Sequence, residues 1–234
     1  LPLSAVAGGL TPTKAWKRRN RGADWVVGDT LNAAIGQGYV LASPLQLAVM
    51  TGRLATGRSV TPRLIKSVNG IEQPSGAGGD IGINPSLLAK VRRGMYQVSN
   101  TRRGTAWSSR IADEELVMAG KTGTSQVRNI TAAERARGVF RNEDLPWERR
   151  DHALFVSFAP FDAPRVAVSV VVEHGGGGSS AAAPIARDIL LRALHGEVPP
   201  LSSYPEGQRH EIEERLRALP LRAPQGGTPG RSRA

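Results

Sequence analysis

Two short apolar runs constrain this chain more than anything else in it. Residues 152–159 (HALFVSFA) and 165–173 (RVAVSVVVE) are each the length of one strand, and both are rich in valine and other strand-forming residues. Between them Phe161-Asp162-Ala163-Pro164 supplies a turn, so the pair reads as a β-hairpin. Upstream, residues 115–119 lead into a third candidate strand at 121–127, and a charged insertion, 128–151, separates it from the hairpin. The second half of the chain is therefore expected to be antiparallel sheet.

Helices are expected around that sheet. Ser43-Pro44 is a capping residue followed by proline at the first helical position, and Gly57 closes the apolar pattern that follows. Asn84-Pro85-Ser86 opens a second helix carrying Leu87, Leu88, Val91, Met95 and Val98 at helical spacing. A third is expected over residues 181–194. Residues 1–40 read as irregular, 60–68 as a strand, 75–82 as a glycine-rich loop, and the four glycines 175–178 as a flexible connector. From residue 197 prolines, glycines and arginines suggest a flexible tail, interrupted by one short charged helix over 206–219. The division expected is 1–196 as one folded unit and 197–234 as tail.

Composition narrows the chemistry. The chain has 234 residues and no cysteine, which removes disulfides and cysteine-ligated metals. No run of 18 apolar residues is present, and the start, Leu1-Pro2-Leu3, reads as the middle of a gene product, so any membrane anchor is expected elsewhere. The formal charge is +11, and residues 1–66 hold nine Lys and Arg against Asp24 and Asp29. Such a cluster can attract nucleic acid, anionic lipid or an anionic polymer. No nucleic-acid motif accompanies it, so no nucleic-acid partner is expected, and a basic, non-enzymatic binding module is only a remote alternative. The four histidines (His152, His174, His195, His210) have no metal-ligand spacing, and neither metal nor cofactor is expected.

The chemistry-bearing motif is Lys121-Thr122-Gly123-Thr124. Two threonines two apart share one side of a strand, and their hydroxyls can grip a carboxylate. Lys121 adds positive charge. Gly123 lets a substrate backbone approach the strand edge and pair with it, and the Thr124 N–H can face an oxyanion. Three or four letters alone are a weak signal, since a lysine–threonine strand with a bulge glycine has the same spelling.

Ordered matches around the motif sharpen it. TPTKAWK (11–17) resembles a PTPEWK stretch, WVVGDT (25–30) and IGQGY (35–39) resemble W-x-x-GDT and IGQGY, and ASPLQLA (42–48) resembles ATPLQLA. NTRRGTA (100–106) resembles a loop ending in GTA. AGKTGTSQV (119–127) resembles AGKTGTAQV, with Ser125 where alanine is usual. FVSFAP (155–160) after Asp151-His152, and EHGGGG (173–178), are similar to the segments that follow. In this order, over roughly residues 1–195, the chain resembles the transpeptidase domain of class B penicillin-binding proteins, of the elongation type.

That resemblance implies an incomplete α+β fold of the β-lactamase/DD-peptidase kind, with an antiparallel sheet flanked by helices. It implies part of a peptidoglycan DD-transpeptidase that cross-links stem peptides through an acyl-serine and is acylated by β-lactams. Family sites use S-x-x-K, S-x-N or S-x-D, and KTG. Carried over, Lys121 and the Thr124 N–H are the catalytic candidates. Thr122, Gly123 and Thr124 bind substrate, and Thr105, beside Gly104, supports the site. No serine here has lysine three residues on, so the nucleophilic serine is expected outside this sequence and the chain alone is expected to be inactive. Thr11 with Lys14, and Ser67-Val68-Asn69, match family letters at the wrong places and read as coincidence. The resemblance further implies an inner-membrane protein with this domain on the periplasmic side, acting with a membrane glycan polymerase and elongation-complex proteins. Division-type transpeptidases, DD-carboxypeptidases and β-lactam sensors also carry KTG. The segments at 11–17 and 35–39 favour the elongation type.

Overall fold

The computed structural model describes residues 7–73, 77–128, 132–138 and 140–219. Within them α1 (Lys14–Arg21), α2 (Val27–Ala34) and α3 (Pro44–Thr56) come first. A ribbon region follows, with β1 (Arg58–Val60), β2 (Ser67–Val68), β3 (Ile71–Glu72) and β4 (Ala77–Asp80). Then come α4 (Pro85–Asn100), β5 (Ala119–Ser125), α5 (Ala132–Arg137), β6 (His152–Ala159), β7 (Val166–Val172), α6 (Ala183–His195) and α7 (Arg209–Ala218).

The main sheet is antiparallel, in the order β5-β6-β7. Alternation divides its faces. Ala153, Phe155 and Ala159 of β6 join Val170 of β7 and pack with Ala183, Ala186, Leu190 and Leu191 of α6. Phe158, between them in sequence, joins Ala119 of β5 and packs with Ala55 of α3 and Met95 of α4. Helices therefore cover both faces. Phe155 and Phe158 are fully buried, each contributing about 1.5–3 kcal/mol of apolar burial. Helices α3 and α4 begin as their capping residues predict. The Ser43 hydroxyl accepts from the Gln46 N–H, and the Asn84 Oδ1 accepts from the Ser86 N–H.

Several expectations are corrected. Residues 1–40 are not irregular throughout, because Thr13 caps α1 and the Asp29 carboxylate accepts from the Val26 N–H at the start of α2. The run 60–68 is not one strand. Pro62 cannot donate to a ladder, and the chain resumes pairing only at Ser67. There β2 and β3 form a tight hairpin with Asn69 and Gly70 both at positive φ, the geometry that favours Asn-Gly. Of the glycine-rich segment 75–82, residues 77–80 form β4 and pair with β1, while 74–76 lie outside the described residues. The short charged helix expected over 206–219 is present as α7, but the flexible-tail reading fails for residues 201–219. Ser203, Tyr204 and Ile212 are buried, and Tyr204 and Ile212 belong to the α6-side core. The rest of the proposed tail, 220–234, lies outside the described residues, as do 1–6, 129–131 and 139.

The basic N-terminal cluster is partly an internal structure. Lys17 is only 7% exposed and donates to Asp29 Oδ2 at 2.6 Å, tying α1 to α2. Arg18 pairs with Asp24, and the Arg21 guanidinium lies over the Tyr39 ring. The Lys17 ammonium, and after it the Val26 N–H, hold the Asp29 carboxyl below the ordinary aspartate range. A carboxyl whose folded pKa is depressed stabilises the protein fully above its unfolded value, about 3.9, and that contribution disappears as pH falls through the lower folded value. Asp29→Asn should therefore lower Tm clearly at pH 7, with the gap to the parent closing as the pH is taken to 3. Thermal unfolding at the two pH values checks this, and a gap of constant size would show that the carboxylate charge is not what joins the helices.

Candidate functional site

The motif expected to carry chemistry lies on β5, an edge strand of the main sheet. Seven residue pairs bind it to β6, from Ala119↔Phe158 to Ser125↔His152. Its other edge is open among the described residues. Burial falls along the strand. Ala119 and Gly120 are buried, Thr122 and Gly123 half-buried, and Lys121, Thr124 and Ser125 exposed. Thr122 and Thr124 stand opposite Phe155 and Ala153, so they share the sheet face that α6 covers, whereas Lys121 and Gly123 belong to the other face. The Lys121 Nζ donates to the Thr122 carbonyl at 2.6 Å.

Thr105, expected beside the motif, reaches it. Its hydroxyl lies 2.9 Å from the Thr122 hydroxyl. Its loop leaves the end of α4, and Gly104 passes so close to that helix that a Cβ would stand 2.3 Å from the Gln97 and Val98 carbonyl oxygens. Asn100 joins the same elements. Its Nδ2 donates both to Tyr96 O of its own helix and to Met118 O just before β5. Its role is not legible in the sequence, because a single Asn at a helix end has no signature distinguishing a bridge from an ordinary terminus.

The glycine run 175–178 is a further correction, for its hydrogen bonds hold it in place and Gly178 packs on β5. Gly175 N–H donates to Val172 O, and Gly176 N–H donates to Asp151 O. Gly178 then enters a wide helical turn, residues 178–182, that leads into α6. A Cβ on Gly178 would stand 2.3 Å from Leu154 O and 2.5 Å from Gly123 O, so its backbone lies directly on the β5–β6 pair. Gly120 is equally constrained, by the Phe155 ring at 2.5 Å. Gly123 is not. The nearest atom to a Cβ there is Leu154 Cβ at 3.4 Å, an ordinary contact.

Beyond the strand's end, His174 takes φ +55° and brings its ring 4.7 Å from that of His152 and 4.3 Å from Trp147. Its N–H donates to His152 Nδ1 at 2.9 Å. Among the described residues no three His, Cys, Asp or Glu side chains stand together as a metal-ligand set. A groove of about 720 Å³ runs between α3 and the β1–β4 ribbon, lined by Leu45, Val49, Met50, Leu54, Ile81 and Ile83 among others. None of its lining residues belongs to β5 or to the Thr105 loop.

Residues 5–191 match the family model described as the penicillin binding protein transpeptidase domain. The chain is 37% identical over 213 residues to the peptidoglycan D,D-transpeptidase MrdA of Haemophilus influenzae, covering 87% of this chain and 32% of that protein. Among solved structures it resembles Pseudomonas aeruginosa PBP2 in complex with WCK 5153, with 36% identity and TM-score 0.63, over 84% of this chain and 40% of that one. It also resembles PBP2 of Helicobacter pylori in a complex with MreC, with 35% identity and TM-score 0.63, over 80% and 31%. The chain spans about a third of the length of the curated relatives it matches.

The two glycines predict opposite outcomes. Gly178→Ala should lower stability by about 1–3 kcal/mol or more, the usual range for forced overpacking. Gly123→Ala should leave it within about 1 kcal/mol, since an open strand position loses nothing and restricts the unfolded chain. Urea unfolding of both variants checks the contrast, and equal losses would contradict it.

Proposed function

The chain belongs to the penicillin-binding protein transpeptidase family, and we propose that it forms the substrate-binding wall of a peptidoglycan D,D-transpeptidase of the penicillin-binding protein 2 type. The observation that carries this reading is Gly123, a glycine on an open strand edge that no internal contact demands. Gly120, three residues earlier, has its packing reason. An unneeded glycine on a free edge is explained by something outside the chain coming close to it.

On this reading the D-Ala-D-Ala end of a stem peptide lies along β5 as an added strand. The hydroxyls of Thr122 and Thr124, on one face, take its terminal carboxylate, and Lys121 supplies the positive charge. A serine outside these residues attacks the penultimate carbonyl. Charge developing on the carbonyl oxygen is met by the Thr124 N–H and by the serine's own amide. The bond to the terminal D-Ala breaks, leaving an acyl-serine, and the amine of a neighbouring stem peptide resolves it into a cross-link. A β-lactam follows the first half of this path. Thr105 supports Thr122 from the adjacent loop.

Partners and place follow from kinship. The similar Helicobacter pylori protein was solved with MreC, and elongation-complex proteins and a membrane glycan polymerase are the corresponding partners here. The site would face the periplasm from the inner membrane. No described helix is long and apolar enough to cross a membrane.

Labelling with a fluorescent penicillin followed by a denaturing gel tests the reading. The whole protein containing this chain should label, and Lys121→Ala should slow labelling by about 10²–10³-fold, the scale of losing one preorganised electrostatic contact. These 234 residues alone should not label. A labelled band from the chain alone, or an unaffected Lys121→Ala variant, would overturn the assignment.

A further inference from the structure

The segment 201–218 lies past the residues that the family model matches, yet it packs into the core and touches the loop that carries Thr105. We propose that Gln208 is a positioning residue for the substrate-binding wall, holding the Thr105 loop in place through the carbonyl of Ser108. The proposal rests on the transpeptidase reading of β5.

Gln208 divides its amide between two partners. Its Oε1 accepts from Arg187 Nη1 at 2.8 Å, and its Nε2 donates to Ser108 O at 2.7 Å. The Arg187 end is buried and held by several contacts. Arg187 is 2% exposed, its Nε donates to Asp188 Oδ1 at 2.9 Å, and its guanidinium lies over the ring of Tyr204, itself buried. A second tie runs alongside, from the Ala112 N–H to Ser203 O at 2.8 Å. The C-terminal segment therefore grips the 104–112 stretch twice.

A short, bonded turn links Ser108 to Thr105. Trp107 N–H donates to Gly104 O, and Ser109 N–H donates to Ala106 O. Gly104 and Ala106 are themselves fixed against α4, the first by close approach to Gln97 and Val98 and the second by its N–H bond to Val98 O. Thr105 lies between these two anchors, with its hydroxyl on that of Thr122. The hydroxyl pair has a direction. A carboxylate accepts only, so when one binds, Thr122 must donate to it and Thr105 must donate to Thr122. Each bond in such a chain polarises the next. Loss of the Thr105 position therefore weakens carboxylate recognition in particular.

The experiment uses the whole protein containing this chain, with Gln208→Glu, Gln208→Ala and Thr105→Val alone and combined. Acylation rates are measured for a penicillin with a free carboxylate and for its methyl ester. A glutamate at 208 still accepts from Arg187 but has no donor for Ser108 O. Gln208→Glu should slow acylation by the acid about 3- to 10-fold, the scale of one net hydrogen bond. It should slow the ester less, and neither 208 variant should slow a protein already carrying Thr105→Val further. Equal slowing of acid and ester, additive losses in the double variants, or a Gln208→Glu protein acylated at the parent rate would each overturn the link. A parent protein that is not acylated at all would sink the transpeptidase reading and this proposal together.

Discussion

The pairing of β5 with β6 is the contact on which the rest of the structure depends. β6 is the central strand, and its two faces carry Phe155 and Phe158 into the two halves of the core. Because strand side chains alternate, the register that buries those rings also decides which way each β5 residue faces. A slip of one residue would turn Thr122 and Thr124 to the α3–α4 side and Lys121 toward α6. Core packing on β6 thus sets the orientation of a polar motif on β5, and the edge stays open because nothing in the described chain adds a further strand.

Three separate elements then brace β5 from the side of its buried end. Asn100 bridges α4 to Met118, Gly178 lies on the Gly123–Leu154 backbone, and the Thr105 loop meets Thr122. Each works through backbone or through one short polar side chain, so each fixes position without filling the open edge. The C-terminal segment extends the same arrangement one layer outward through Gln208.

Legibility in the sequence followed the range of the forces involved. Strands β6 and β7 were readable because valine-rich runs bounded by a turn are a local signal, and α3 and α4 because Ser43-Pro44 and Asn84-Pro85 are local capping signals. Helices α1 and α2 were not, since Lys17 needs Asp29, twelve residues away, to make burial tolerable. β4 reads as loop because Ala-Gly-Gly-Asp has no strand propensity, and it exists through pairing with β1. The glycines 175–178 spell flexibility equally well whether or not another backbone lies against them, and only the fold brings Gly123 and Leu154 there. The motif letters were legible, and so was Thr105, but the hydroxyl contact that joins them belongs to tertiary structure.

The residue types of the motif answer structural and chemical demands at once. Threonine is β-branched and suits an exposed strand, and it carries a hydroxyl, so positions 122 and 124 gain a polar row without weakening β5. Lysine at 121 poses the harder question, because the period of two places it on the face away from both threonines. Its four-carbon stem resolves this, carrying the ammonium back to within 2.6 Å of the Thr122 carbonyl. The charge therefore sits beside the strand backbone at the Thr122 carbonyl, on a side chain that stays exposed. Arginine at 121 would bring a broader, planar group on a different stem, so the exchange would not be conservative at that edge.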